Sequence, residues 1–271
     1  MSNDDVFCGL SPEDISLVYA YKNFNLIVTT LQSCDLRDWL QHSDVVELGA
    51  GAHGRVVQGL VPWPAAVWAE VEAKFGHCPL LLQGLPVVAK MLDISPQCCV
   101  NDHRRDMRFA KRETQGNLLA NGRDLFVNVA KQKVMPFDSS VLVPRLLMSQ
   151  WLPPVEGDRE EHSSYILVFQ PVTGQPLSLQ SAVERGVFKR HHGTILSLAS
   201  SLKRQLEKSH QRGIVHQDVK PQNVVVGESS LSVLVDWSLV GNVGAPAELS
   251  GTALYVSSKV SLMAVCAEGQ Q

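Results

Sequence analysis

The spacing of apolar and polar positions along the 271-residue chain changes several times, and each change marks an element. Residues 11–42 place their apolar positions unevenly in helical stripes. They open with Ser11-Pro-Glu-Asp, a capping sequence with Pro12 at the first helical position. A break near Ser33-Cys-Asp divides this helical stretch, whose expected role is packing, with partner binding as the alternative. From Val45 the pattern becomes strand-like. Val45-Val-Glu-Leu-Gly-Ala-Gly-Ala-His-Gly-Arg-Val-Val predicts a strand, a glycine-rich turn and a second strand. Residues 60–85, with Trp63 and Trp68 among Pro62, Pro64 and Pro79, read as an irregular insertion. Pro86-Val-Val-Ala-Lys-Met-Leu predicts a short strand and residues 102–121 a charged helix. Tyr165-Ile-Leu-Val-Phe is an apolar strand running into a Pro/Gly connector. The clearest helix is 189–212, where Ile195, Leu196, Leu198, Leu202 and Leu206 form a stripe. Two more strands fall around 224–226 and 231–235. Strands dominate first and helices later, without strict alternation, which predicts an α+β chain in two lobes rather than a doubly wound sheet.

Composition narrows the functional classes. Hydrophobic residues at 45% and charged residues at 19% describe an ordinary globular chain. A formal net charge of −3 and the lack of a Lys/Arg run argue against nucleic-acid binding and against a polybasic membrane patch. No apolar stretch is long enough for a membrane span. The acidic start, Met-Ser-Asn-Asp-Asp, is unlike a signal peptide, so the expected location is intracellular and cytoplasmic. Of the six cysteines, only Cys98 and Cys99 are close in sequence, and no Cys-x-x-Cys pair occurs. The thiols are therefore expected reduced, with neither a zinc site nor a disulfide framework. A reactive thiol among the six stays open.

Four stretches carry candidate chemistry. Gly49-Ala-Gly-Ala-His-Gly-Arg-Val fits Gly-x-Gly-x-x-Gly-x-Val, in which glycines let the backbone approach phosphate oxygens. A dinucleotide-binding unit is disfavoured, because strand-like Val56-Val57 follows instead of a helix, and Glu70 and Glu72 close no second strand. Lys90 interrupts an apolar strand, where an ammonium needs either water or an anion; Glu113, on the charged helix, is a candidate partner. His216-Gln-Asp-Val-Lys-Pro-Gln-Asn is the strongest local signal. Asp218 can orient or deprotonate a hydroxyl, Lys220 can neutralise a transferring phosphoryl group, and Asn223 can offer an amide oxygen to a metal. Asp236 ends an apolar strand and can serve a hard cation, or merely cap a turn.

Taken together these stretches resemble, in order and over residues 45–258, the eukaryotic-type protein kinases. The resemblance implies a two-lobe kinase-like fold. An N-terminal helical extension would occupy 1–42, an N-lobe with an insertion at 60–85 would occupy 43–173, and a shortened C-lobe 174–271. It implies ATP and Mg²⁺ as cofactors and a protein Ser/Thr hydroxyl as acceptor. Gly49, Gly51, Gly54 and Val56 would cover the nucleotide. Lys90, positioned by Glu113, would hold phosphates. Phe169 would be the gatekeeper, and the backbone of Gln170 and Val172 would meet the adenine. Asp218 and Lys220 would be catalytic, and Asn223 and Asp236 metal ligands. Lys220 points to Ser/Thr rather than Tyr as acceptor. Gly251-Thr-Ala-Leu-Tyr looks like the end of the activation segment and favours a protein kinase over the small-molecule kinases of the aminoglycoside and choline type.

Three departures stand out. Gln217 replaces the Arg that usually pairs with a phosphorylated activation loop. Trp237-Ser238 replaces Phe-Gly, and Ser257-Ser-Lys259 stands where Ala-Pro-Glu is usual, with 12 residues following. An open C-lobe face is therefore expected, either covered by an activating partner in a naturally minimal kinase or left by truncation or alternative splicing of a longer one. The rival expectation is a catalytically inactive kinase-like interaction module.

Overall fold

The computed structural model describes residues 10–42, 44–51, 54–121, 144–154, 163–171, 177–178, 183, 192–226 and 232–242. It is an α+β structure built on a five-stranded antiparallel sheet. The strands are β1 (Val46–Gly51), β2 (Gly54–Val61), β3 (Leu85–Ile94), β4 (Leu146–Leu152) and β5 (Ser163–Phe169), in the order β1-β2-β3-β5-β4. Strand β4 has no counterpart in the sequence reading, because Ser149 and Gln150 interrupt its apolar run at an edge position. The central strand β3 is longer than its apolar run suggested. Asp93 continues it at an exposed position, while Ile94 still pairs with Ser163.

The two faces of this sheet bury different partners, and the alternation of β3 assigns its side chains to them. Val87, Ala89 and Met91 join the larger core, whereas Leu92 and Ile94 join a second one. The larger core is covered by α1 (Pro12–Val18), α2 (Phe24–Ser33), α3 (Leu36–Leu40), α4 (Trp68–Phe75) and α5 (Pro79–Gln83). The capping box read at Ser11 is present, with the Ser11 hydroxyl and the Asp14 carboxylate each meeting the other's backbone N–H. The break in this region falls at Cys34–Asp35, where the Asp35 side chain caps α3. Ile15, Val18, Leu26, Ile27, Leu31, Leu36 and Trp39 are all buried against the sheet. The Tyr19 hydroxyl donates to the Pro86 carbonyl and the Trp39 indole to the Leu60 carbonyl, at 3.0 Å for the latter. This packing agrees with the expected structural role of 11–42.

The 60–85 stretch differs from the expected irregular insertion, since it folds into α4 and α5. Val71 and Phe75 stand four residues apart on one helical face, and Pro79 opens α5 at a position that tolerates its missing N–H. Trp63 stacks on Phe75 at 6.1 Å and donates to the Leu81 carbonyl at 2.6 Å, tying the two helices to the sheet.

The opposite face holds α6 (Val100–Asn121), packed through Ala110 and its neighbours on Leu92, Ile94, Leu146, Leu167 and Phe169. The later part of the chain contains α7 (His192–Gln211) and two small sheets. Strands β6 (Leu177–Ser178), β8 (Val224–Val226) and β9 (Ser232–Leu234) form one sheet, and β7 (Ile214–Val215) pairs with β10 (Gly241–Asn242) in the other. Leu198 of α7 is buried, and Leu202 and Leu206 pack on the third core of Ala120, Val224, Leu234 and Trp237. Ile195 and Leu196, expected in the same stripe, are exposed instead. Gln205 fixes α7 to β9, its amide oxygen accepting from Leu234 N at 2.9 Å and its nitrogen donating to the Ser232 carbonyl. Among the described residues, no helix is long and apolar enough to cross a membrane.

Candidate functional site

Lys90 belongs to the α6 face of the sheet by strand parity, shared with Leu92 and Ile94. In register it pairs with Val56 on one side and Leu167 on the other, which places the glycine-rich β1–β2 hairpin directly beside it. Gly49 and Gly51 lie on β1, with Gly51 opposite Gly54 across the hairpin. Gly54 has a φ of +133°, and a Cβ there would collide with the Met91 carbonyl, so this position requires glycine. Space around Gly49 is open, with nothing within 4 Å of the place a Cβ would occupy.

The Lys90 ammonium meets two carboxylates from distant parts of the chain. Its Nζ lies 2.6 Å from Glu113 Oε1 and 3.2 Å from Asp236 Oδ1. Burial works against the charged ammonium, but the Glu113 and Asp236 carboxylates prevail and raise its pKa. Burial dominates at Glu113 and lifts its carboxyl from 4.5 to about 6, with Lys90 pulling the other way. At Asp236 burial would raise the pKa, and the Lys90 ammonium together with a hydrogen bond from Ser238 holds it below the ordinary value. Glu113 Oε2 is buried with no hydrogen-bond partner among the described residues.

Helix α6 brings Glu113 to this position by an unusually close approach. A Cβ on Gly116 would fall far inside contact distance of the Trp237 carbonyl oxygen and 3.0 Å from Val240 Cγ1. The helix therefore sits directly on the turn Trp237–Leu239 that follows Asp236. Asp236 itself is left-handed at φ 62°. Trp237 is fully buried, donates to the Leu234 carbonyl at 3.0 Å and meets the His216 ring edge-on at 4.6 Å. Sequence reasoning missed the roles of Gly116, Ser238 and Val235; of these, only a glycine inside a long helix was a visible signal.

The 216–223 loop is held by its own polar groups. Asp218 N–H donates to His216 Nδ1 at 3.2 Å, which leaves Nε2 to carry the proton donated to the Val235 carbonyl at 2.9 Å. Burial lowers the His216 pKa, in keeping with this neutral ring. The Asp218 carboxylate accepts from Lys220 Nζ at 2.7 Å and from Asn223 Nδ2 at 2.9 Å. Asn223 Nδ2 also donates to the Asp218 carbonyl at 2.9 Å. Val224 pairs with Leu234, and Val235 N–H donates to the Asn223 carbonyl at 2.9 Å, so Asn223 and Asp236 lie at the same end of the β8–β9 pair. Phe169 is buried at the end of β5. Gln170 follows it and donates its N–H to the Arg145 carbonyl at 2.9 Å, leaving its own carbonyl as the backbone group it could offer a ligand. Val172 and the 251–255 segment lie outside the described residues.

Chemically, this arrangement provides a buried cation between two acids and a carboxylate oriented by a lysine and an amide. The amide nitrogen of Asn223 faces Asp218, so its oxygen and the Asp236 carboxylate are the groups suited to a hard cation. Among the described residues, no group of three or more His, Cys, Asp or Glu could hold a metal. A cation held by Asn223 and Asp236 would complete its shell with ligand oxygens and water, as Mg²⁺ commonly does.

No family model matches the chain. Over 45 residues, 17% of its length, the chain is 42% identical to the serine/threonine-protein kinase PknD of Chlamydia abortus, and the match covers 5% of that protein. This short local likeness indicates a kinase-like relationship and extends no further.

Proposed function

We propose that the protein is an ATP-dependent phosphotransferase of the protein-kinase type. It transfers the γ-phosphate of Mg²⁺·ATP to a Ser or Thr hydroxyl of an intracellular protein substrate. The observation that carries this reading is Lys90 held between Glu113 and Asp236, the latter 146 residues away in sequence, beside a glycine-rich hairpin. In the proposed arrangement 43–173 acts as the N-lobe and 174–271 as the C-lobe, with the helices of 11–42 packed on the first. Gly49, Gly51, Gly54 and Val56 roof the phosphates, and Lys90 neutralises them while Glu113 fixes its position. Gln170 and Val172 receive the base. Asn223 and Asp236 would hold Mg²⁺, which when bound neutralises charge on the phosphate oxygens. Asp218 accepts the proton of the acceptor hydroxyl, and Lys220, 2.7 Å from it, turns to the charge developing on the transferred group.

The test is γ-phosphate transfer from radiolabelled Mg²⁺·ATP to peptide acceptors, beside binding of a fluorescent ATP analogue. Asp218→Ala should abolish transfer and leave nucleotide binding intact. Transfer at the wild-type rate in that variant would refute the assignment, and binding without transfer in the wild type would favour the interaction-module reading.

A further inference from the structure

We propose that Cys98 and Cys99 form a reversible disulfide between adjacent residues, and that its formation loosens the first turn of α6. Both thiols are exposed, and their sulfurs lie 4.0 Å apart. The other described cysteines are poor competitors. Cys78 is buried, and burial with Asp35 and Asp38 nearby raises the Cys34 thiol to about 11. Among the described cysteines, exposure therefore selects the 98–99 pair for an oxidant in solution, although the neighbouring Cys98 raises the Cys99 thiol above its ordinary pKa.

With a small-molecule disulfide such as oxidised glutathione, the step balances in two exchanges. The thiolate of one cysteine attacks the glutathione disulfide, forming a mixed disulfide and releasing one glutathione thiolate. The neighbouring thiolate then attacks the protein-side sulfur, closing the Cys98–Cys99 bond and releasing the second glutathione. Two electrons pass from the pair to glutathione, and the two thiol protons end on the released thiols. Adjacent Cα atoms are about 3.8 Å apart, below the roughly 4.4–6.8 Å that ordinary disulfides span. The bond is therefore strained, and exposed strained disulfides are the readily reduced kind suited to a switch.

The location gives the bond a consequence. Cys99 N–H donates to the Pro96 carbonyl at 3.0 Å, and the Cys99 carbonyl accepts from His103 N–H at 2.9 Å, one of the first hydrogen bonds of α6. Ser95, on the same turn, is tied to the helix through its N–H and hydroxyl, both on Asp106 Oδ2 at 3.0 and 2.5 Å. Drawing the two sulfurs together twists the Cys98–Cys99 peptide, which carries the N–H bonded to Pro96, and so turns the next peptide, whose carbonyl accepts from His103. The same helix bears Glu113, so oxidation would reach the Lys90 pair; only that last consequence rests on the proposed function.

The test treats the full chain with oxidised glutathione, digests it, and weighs the peptide containing both cysteines. The expected product is lighter by two hydrogens, carries no glutathione, and reverts with dithiothreitol. Cys98→Ser should instead stall as a glutathione adduct on Cys99. In parallel, amide exchange at His103 should rise about tenfold on oxidation of the wild type, the weight of roughly one backbone hydrogen bond, and stay unchanged in the Cys98→Ser, Cys99→Ser double variant. Persistent glutathione adducts on the wild-type pair would overturn the disulfide. A closed disulfide with unchanged exchange at His103 would overturn the coupling to α6. Neither readout depends on phosphotransfer.

Discussion

Gly116→Ala tests whether the approach of α6 to the Asp236 turn organises the site. The added methyl would lie about 1 Å closer to the Trp237 carbonyl oxygen than real Cβ contacts allow, and that neighbour is backbone that cannot rotate away. Helix propensity favours Ala over Gly by about 1 kcal/mol, while overpacking costs about 1–3 kcal/mol. The net loss of stability should therefore be modest, about 0–2 kcal/mol. The geometric effect is larger. Moving α6 outward by about 1 Å lengthens a Lys90–Glu113 contact that is now 2.6 Å, and a displacement of that size costs about a hundredfold in rate where positioning matters. The assay pairs urea denaturation with the proposed γ-phosphate transfer on folded protein. A variant more stable than wild type, with transfer unchanged, would refute the claim that this contact positions Glu113.

Two further outcomes follow from the same residues. Glu113 binds its proton more tightly folded than unfolded, so as pH rises from 4.5 to about 6 the carboxyl is ionised at a cost to the folded state, and stability falls. The fall should be about 2 kcal/mol in urea midpoints of the wild type relative to Glu113→Gln; equal pH slopes in the two proteins would contradict it. Trp237→Phe removes the donor to the Leu234 carbonyl and leaves a void beside His216. It should lower stability by about 1–3 kcal/mol in urea unfolding, and a loss below half a kcal/mol would show that the Leu234 carbonyl finds another donor.

The sequence by itself determined whatever depends on near neighbours. Hydrophobic spacing is a local property, so it located α6, α7, the glycine-rich hairpin, β3 and β5, and the capping box at Ser11 fixed the start of α1. The 216–223 loop was legible for the same reason, since Asp218, Lys220 and Asn223 bond within the loop itself. Tertiary structure decided the rest. The 60–85 stretch looked irregular because its prolines mask two short helices, which are held by burying Val71, Phe75 and Leu81 rather than by propensity. Strand β4 has a mixed pattern that only its pairing with β5 makes a strand. That Lys90 would meet both Glu113 and Asp236 followed from β3 parity, from α6 crossing that face, and from Gly116 allowing contact with the Trp237 turn. Spacing along the chain carries no record of such a meeting, because the groups are joined only when α6 packs on one face of the sheet through the second core and on the Trp237 turn beside the third.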